Sequence, residues 1–226
     1  MAKKKDEEGL VDVGQVYSKS EDFVNNNGKT ITMIVLAALI LVAGFFIYKK
    51  FIVEPQNKDA QAKIWKAEYF FAIDSLNLAL NGNDEYYGFA EIAEEYSSTA
   101  SGNLAQYYSG VISLKQGDFV DAIDYLSNCS FSDNIVLEST RLGCLGDAQV
   151  ESGNIAAGID SFKNSISTAE NTATTPIYLK KLGLAYEAEG NTSAALETYE
   201  RLKRDFNNSA EARTIDKYIG KLSSAN

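Results

Sequence analysis

Residues 178–199 read YLKKLGLAYEAEGNTSAALETY, and the same pattern stands twice more upstream, as RLGCLGDAQVESGNIAAGIDSF at 141–162 and QYYSGVISLKQGDFVDAIDYL at 106–126. Each segment reads as helix, Gly-Asp/Asn turn, helix. The turn glycines Gly117, Gly153 and Gly190 are 36 and 37 residues apart. Seven residues before each stands another glycine: Gly110, Gly146 or Gly183. Five residues after each stands a small residue (Ala122, Gly158 or Ala195), and four beyond that a large one (Leu126, Phe162 or Tyr199). Antiparallel helices approach closely only where side chains are small. The first-helix glycine is therefore expected to face the small residue of the second helix, with the large residue filling the next turn. The turn glycine accepts a left-handed C-cap conformation at little steric cost.

The pattern resembles the tetratricopeptide repeat, whose period is about 34 residues. Leu182-Gly183, Tyr186 and Ala195 match that consensus best. The middle segment matches through Leu145-Gly146 and Phe162 but has Gly158 where Ala is usual, and the first has Ser109 and Ser113 in place of Leu and Tyr. The likeness covers residues 103–206 and extends to 59–100 as a divergent leading pair. There a helical run from Asp59 to Leu80 repeats Ile64, Trp65, Ala67, Phe71, Leu76 and Leu80 at helical spacing. After a break at Asn81–Asp84, a run from Tyr86 to Tyr96 puts Phe89, Ile92, Ala93 and Tyr96 on one face. Asn208 to Leu222, with Ser209 as its N-cap, reads as the polar closing helix such stacks need. The resemblance implies an all-α fold over residues 59–226: a tetratricopeptide-repeat α-solenoid of about four helix pairs plus a capping helix.

Ahead of the repeats, Ile31 to Tyr48 (ITMIVLAALILVAGFFIY) holds 18 residues without a charge. At 1.5 Å per residue the stretch covers about 27 Å, enough for a thin hydrocarbon core. Lys29 before it, and Lys49 and Lys50 after it, are placed to reach the headgroups. The run is longer than a usual signal-peptide core, and no small-x-small cleavage site follows. The expectation is one uncleaved transmembrane helix over residues 31–50, in contact with lipid. Residues 1–30 then form a tail expected to be disordered, with a short amphipathic turn at Val11, Val13, Val16 and Tyr17 as the alternative. Residues 51–58 are expected to be a linker broken at Glu54-Pro55-Gln56-Asn57.

Composition narrows the chemistry. Net charge is −10, and residues 59–135 carry −9 of it. Acidic surface of this kind repels phosphate backbones, which argues against nucleic acid as a partner. The chain has no His, which removes the commonest general base and zinc ligand. No phosphate-cradling loop or nucleophile motif occurs, and the adjacent acids Asp84-Glu85 and Glu94-Glu95 diverge on a helix surface rather than converging on one point. Neither an enzyme nor a cofactor or metal site is expected. Cys129, near the end of one second helix, and Cys144, in the next first helix, lie on neighbouring elements. A disulfide is open to them on an oxidising side, and two separately buried thiols are the alternative.

The family's groove positions, carried onto this chain, fall on Leu104, Tyr107, Val111, Leu114 and Lys115; on Thr140, Gly143, Asp147, Val150 and Glu151; and on Ile177, Lys180, Leu184, Glu187 and Ala188. Members that clamp a C-terminal carboxylate need Lys and Asn at several of these positions, and only Lys180 is compatible. The expected groove is apolar in places and acidic in others, suited to an apolar or basic protein segment; packing between repeats is the alternative use. A basic group, Arg201, Lys203, Arg204, Arg213, Lys217 and Lys221, is open to an acidic partner or anionic lipid.

Tail, single span and repeats together resemble the YfgM-type ancillary subunit of the bacterial Sec translocon, carried most clearly by TTPIYLKKLGLAYEAEGNTSAALETYERLKRDFNNSAEARTIDKYI. That resemblance implies an inner-membrane protein with a cytoplasmic tail and a periplasmic repeat domain. Its implied partners are Sec translocon subunits, a membrane-anchored periplasmic chaperone and exported client proteins. An inner-membrane adaptor for another envelope assembly is the alternative. The lysines run against this orientation: Lys19 and Lys29 precede the span, whereas Lys49, Lys50, Lys58, Lys63 and Lys66 follow it. Long domains, however, translocate largely regardless of charge.

Overall fold

A computed structural model describes residues 13–224. It is all-α, with no strand among the described residues, and divides into two units at Glu54/Pro55. In the first unit, helix α1 (Val13–Tyr48) carries the apolar stretch. Its side chains from Thr32 onward are exposed all round, Leu41 by 74% and Phe46 by 63%. It is the one helix among the described residues that is long and apolar enough to cross a membrane. An apolar surface this extensive, with no protein covering it, is what a hydrocarbon environment stabilises.

Two expectations for this region change. The tail expected to be disordered is helical from Val13 to Thr30; residues 1–12 lie outside the described residues. Extending an existing helix costs far less than nucleating one, and no proline interrupts the sequence before the span. The expected linker at 51–58 is also helical. Lys49–Val53 forms a π turn in which the Glu54 N–H donates to the Lys49 carbonyl, and α2 (Glu54–Ala72) begins at once. Pro55 has no N–H, and its ring crowds the carbonyl four residues back. A widened turn just before it accommodates the ring.

In the second unit, α2 is followed by α3 (Leu76–Asn81) and α4 (Phe89–Glu95), and then by three long hairpins. These are α5 (Ala100–Gln116) with α6 (Phe119–Ser127), α7 (Ile135–Glu151) with α8 (Ile155–Thr168), and α9 (Thr175–Glu189) with α10 (Thr192–Asp205). All three hairpin turns use one device. Gly117, Gly153 and Gly190 have φ of +86°, +90° and +85°. Each glycine N–H donates three residues back, and the next N–H donates five back, as in Asn191 to the Tyr186 carbonyl at 2.8 Å. This Schellman arrangement consumes the orphan carbonyls of the first helix. Asn154 and Asn191 then cap the second helices by accepting from Ala157 N (3.3 Å) and Ala194 N (3.2 Å).

The first-helix glycines all face the large residue of the second helix, and in the middle hairpin Gly146 also faces the small one as expected, a Cβ there standing 3.2 Å from the Gly158 carbonyl oxygen. A Cβ on Gly110 would stand 2.6 Å from Leu126 Cγ, one on Gly146 2.7 Å from Phe162 Cε1, and one on Gly183 would overlap the Tyr199 ring. Gly158, the small residue of the middle hairpin, also receives Val150 and stands beside the Gly146 carbonyl. The glycine thus makes room for the large side chain directly, because a close crossing brings that side chain onto the backbone.

The expected single run from Asp59 to Leu80 breaks in two. Asp74 adopts a left-handed conformation (φ +59°), and Ser75 N donates to the Phe70 carbonyl at 2.9 Å. Asp tolerates that conformation better than most residues, and apolar periodicity cannot register a one-residue interruption. Trp65 is 55% exposed rather than in the core, whereas Phe89, Ile92, Ala93 and Tyr96 are buried as expected. The closing segment is a 3-10 turn (Ala212–Thr214) and α11 (Asp216–Ser223), with Ser209 Oγ accepting from Ala212 N at 3.1 Å.

Buried residues form two apolar clusters, one centred on Phe89, Ile92 and Ile112, the other on Phe162, Leu179, Tyr199 and Ile215. Polar contacts hold the middle of the stack. Ser139 Oγ donates to the Ser165 carbonyl (2.8 Å) and Ser165 Oγ to the Ser139 carbonyl (2.6 Å), tying α7 to α8. Arg141, only 7% exposed, donates Nη1 to the Leu126 carbonyl at the end of α6 (2.6 Å) and is held by Glu138.

Candidate functional site

The first helices α5, α7 and α9 enclose a cleft of about 700 Å³ in the second unit. Of the residues placed in a groove from sequence, Leu114, Lys115, Asp147, Val150, Glu151 and Leu184 line it. They come together because the C-terminal turns of successive first helices lie side by side and carry these residues on one face. Gln116, Gly117, Phe119, Phe162, Lys181 and Ala185 complete the walls and lie outside the groove positions carried over from the family. Phe119 was legible as the one large aromatic directly after a turn Gly-Asp; the corresponding residues of the other hairpins are Ile155 and Thr192.

Other expected groove residues are used elsewhere. Lys180 Nζ sits 5.9 Å from the Tyr218 ring of α11, and Glu187 accepts from Tyr199 Oη (2.7 Å) and Lys221 Nζ (2.8 Å). Both close the C-terminal end of the stack. Gly143 has no free surface: the Tyr178 ring occupies the place of its side chain, and Tyr178 Oη donates to the Thr140 carbonyl at 3.4 Å. Leu104 packs on the N-terminal apolar cluster, and Tyr107 meets Phe131 edge to face. Val111 is half-buried on α5, while Ile177 and Ala188 are exposed on α9. The packing use therefore accounts for about half of these positions, and the open surface concentrates at the cleft.

Electrostatically the cleft is asymmetric. Lys181 Nζ is paired with Asp147 Oδ2 at 2.5 Å, whereas Lys115 Nζ stands 3.9 Å from Asp74 Oδ1 with both side chains more than half exposed, a loose surface contact. Burial pushes the Asp147 carboxyl above the usual range, against the pull of Lys181. Glu151 on the rim and Asp118 and Asp121 beside it have no ion-pair partner among the described residues. Gly117, Phe119 and Glu151 are shared between the cleft and an adjoining hollow of about 490 Å³, which Asp118, Val120 and Asp121 also line.

Cys129 and Cys144 are free thiols, Cys129 buried and Cys144 half-buried. Burial pushes each up to about 11. Cys129 Sγ points to the Leu126 carbonyl at 3.7 Å. The C-terminal basic group is largely neutralised within the fold. Arg201 pairs with Glu170 (2.7 Å), Lys203 with Asp216 (2.6 Å), Arg204 with Asp205 (2.8 Å) and Lys221 with Glu187 (2.8 Å). An anionic partner would compete with those carboxylates. The adjacent acids Glu94 and Glu95 diverge: Glu95 turns to Lys63 (3.8 Å), while Glu94 lines a separate outer hollow.

The tetratricopeptide-repeat family model matches residues 181–209, which span most of α9, the Gly190 turn and all of α10. No curated protein matches the chain significantly. The match marks α9–α10 as one tetratricopeptide repeat, a module that generally mediates protein–protein contact, and the two earlier hairpins repeat its turn and its helix crossing.

Proposed function

We propose that this chain is a membrane-anchored, non-enzymatic protein-interaction scaffold serving as an ancillary subunit of the Sec protein-export translocon. In this reading the tail is cytoplasmic, α1 spans the inner membrane and the repeat unit is periplasmic. There it assists exported proteins together with a membrane-anchored chaperone. The observation that carries the reading is one chain combining an apolar helix exposed on every side with a repeat stack whose first helices leave an open cleft of about 700 Å³. The apolar helix is suited to lipid, and the cleft to a protein segment.

The lysine count that opposes this orientation loses force in the fold. Lys63 is engaged with Asp59 at 3.2 Å, and Lys66 lies over the rings of Trp65 and Tyr86. Both belong to a folded domain, where charge has little influence on topology.

Crosslinking in native membranes followed by pull-down tests the function. Recovery of translocon components with exported precursors is the expected result, and recovery of a different envelope assembly would replace it with the adaptor reading. Protease treatment of spheroplasts tests the orientation: the repeat unit should be digested alongside a periplasmic control.

A further inference from the structure

We propose that the cleft between α5, α7 and α9 selects a protein segment in which a large apolar side chain is followed by Arg or Lys. The apolar group would seat against Leu114, Val150 and Leu184, and the cation would be met by Glu151 with Asp118 and Asp121. This rests on reading the cleft as the binding surface and adds the chemistry of what it binds.

The volume of about 700 Å³ lies in the range of about 300–1,000 Å³ typical of sites that bury most of their ligand. Leu184 is 40% exposed at its edge, surface that an apolar side chain would remove from water. The sign of the partner follows from what is already satisfied. Lys181 is committed to Asp147, and Lys115 stands 3.9 Å from an exposed Asp74, a loose surface pair, so carboxylates outnumber cations around the cleft and its rim. The three rim carboxylates have no such partner among the described residues. They sit where the cleft opens into the adjoining hollow, so a residue next to the seated apolar one would reach them. A guanidinium or ammonium held between carboxylates forms charge-assisted hydrogen bonds, whereas an acidic residue there would be repelled. The same repulsion disfavours a second copy of this chain, because residues 59–135 carry a net charge of −9. It disfavours an anionic lipid surface for the same reason.

The full chain in nanodiscs supplies the test, using fluorescent peptides SGLFRSGLFRGS, SGLFESGLFEGS and SGSSRSGSSRGS as probes in anisotropy titrations. The Leu-Phe-Arg peptide should bind at least about ten-fold more tightly than either of the others. Its affinity should fall between about 50 and 200 mM salt. Glu151→Lys, an exposed change that leaves the core alone, should weaken it and improve binding of the Leu-Phe-Glu peptide. Equal binding of the Arg and Glu peptides, indifference to Glu151→Lys, or no binding by any of the three would overturn the proposal. The broader reading is separated by Leu184→Ser in the membrane pull-down. If Leu184→Ser loses the captured proteins while Glu151→Lys retains them, the cleft is the binding surface and only the charge selection is wrong. If neither variant loses them, both ideas fall.

Discussion

The ring of Tyr199 lies against the backbone of Gly183, and its hydroxyl donates to Glu187 Oε1 at 2.7 Å. The bond fixes the ring at both ends, so it cannot swing away from an added methyl group. Gly183→Ala gains up to about 1 kcal/mol of helix propensity but overpacks the crossing by about 1–3 kcal/mol. The expected net result is destabilisation. At Gly110 the two nearest atoms belong to the Leu126 side chain, which has no hydrogen bond to hold it, while the Leu126 backbone N stands at 3.2 Å, so Gly110→Ala should also destabilise, but by less. Urea unfolding of the two variants checks the order; Gly110→Ala being the more damaging would contradict this account of the crossing.

Ser109 belongs to the first hairpin, where the repeat consensus has a leucine. It is fully buried, and its Oγ has no hydrogen-bond partner among the described residues. Burying an unsatisfied hydroxyl costs about 1–3 kcal/mol. Ser109→Ala removes the hydroxyl without adding volume, and it should raise the unfolding midpoint by an amount corresponding to about 1 kcal/mol. A lower midpoint in thermal unfolding followed by circular dichroism would mean that the hydroxyl has a partner after all.

What the sequence reveals and what it hides divide along physical lines. The hairpins were legible because a left-handed turn tolerates Gly at low cost, and three glycines in register leave little room for another explanation. The break at Asp74 was not, because apolar periodicity runs straight through one left-handed residue. The π turn before Pro55 was misread as a linker because a proline signals lost helix geometry without saying whether the chain stops or widens. Half the cleft was readable from position matching. Its other half hides behind Lys181 and Phe119, since which of two adjacent residues on a helix meets the neighbouring repeat depends on the crossing between repeats.

Glu138 and Arg141 fasten the loop between α6 and α7. Arg141 donates to both carboxylate oxygens of Glu138 while also reaching the Leu126 carbonyl, and the Phe131 N–H donates to Glu138 Oε2 at 2.9 Å. The Arg141 hydrogen bonds hold the Glu138 carboxyl below its ordinary 4.5. Its stabilising contribution is therefore present above about 4.5, the value in the unfolded chain, and is lost as pH falls through the lower folded value. Glu138→Gln should cost roughly 2 kcal/mol at neutral pH, discounted from a fully buried pair for its partial exposure. The variant should also lose stability less steeply than the parent below that point. Urea titrations across acidic pH provide the measurement, and parallel curves for the two proteins would refute the assignment.

Asp147 tests the opposite sign. Burial in the cleft raises its carboxyl above the ordinary 3.8, and the bond to Lys181 only partly offsets this. A carboxyl with a raised folded pKa weakens the fold while it is ionised, and the penalty disappears as pH falls through the folded value toward 3.8. The parent protein should thus regain stability as pH falls through that window, opposing the acid-side loss that Glu138 causes. Asp147→Asn removes the buried charge and leaves Lys181, more than a third of whose side chain is exposed, able to hydrate. At neutral pH the variant should be within about 1 kcal/mol of the parent, or more stable, since no buried group is stranded. If the cleft acts as proposed, the same change should weaken the Leu-Phe-Arg peptide, because the site loses negative charge. A residue that costs stability while strengthening capture is one the fold does not need for itself. A variant that is markedly less stable, or that binds the peptide unchanged, would instead make the Asp147–Lys181 pair a purely structural tie between repeats.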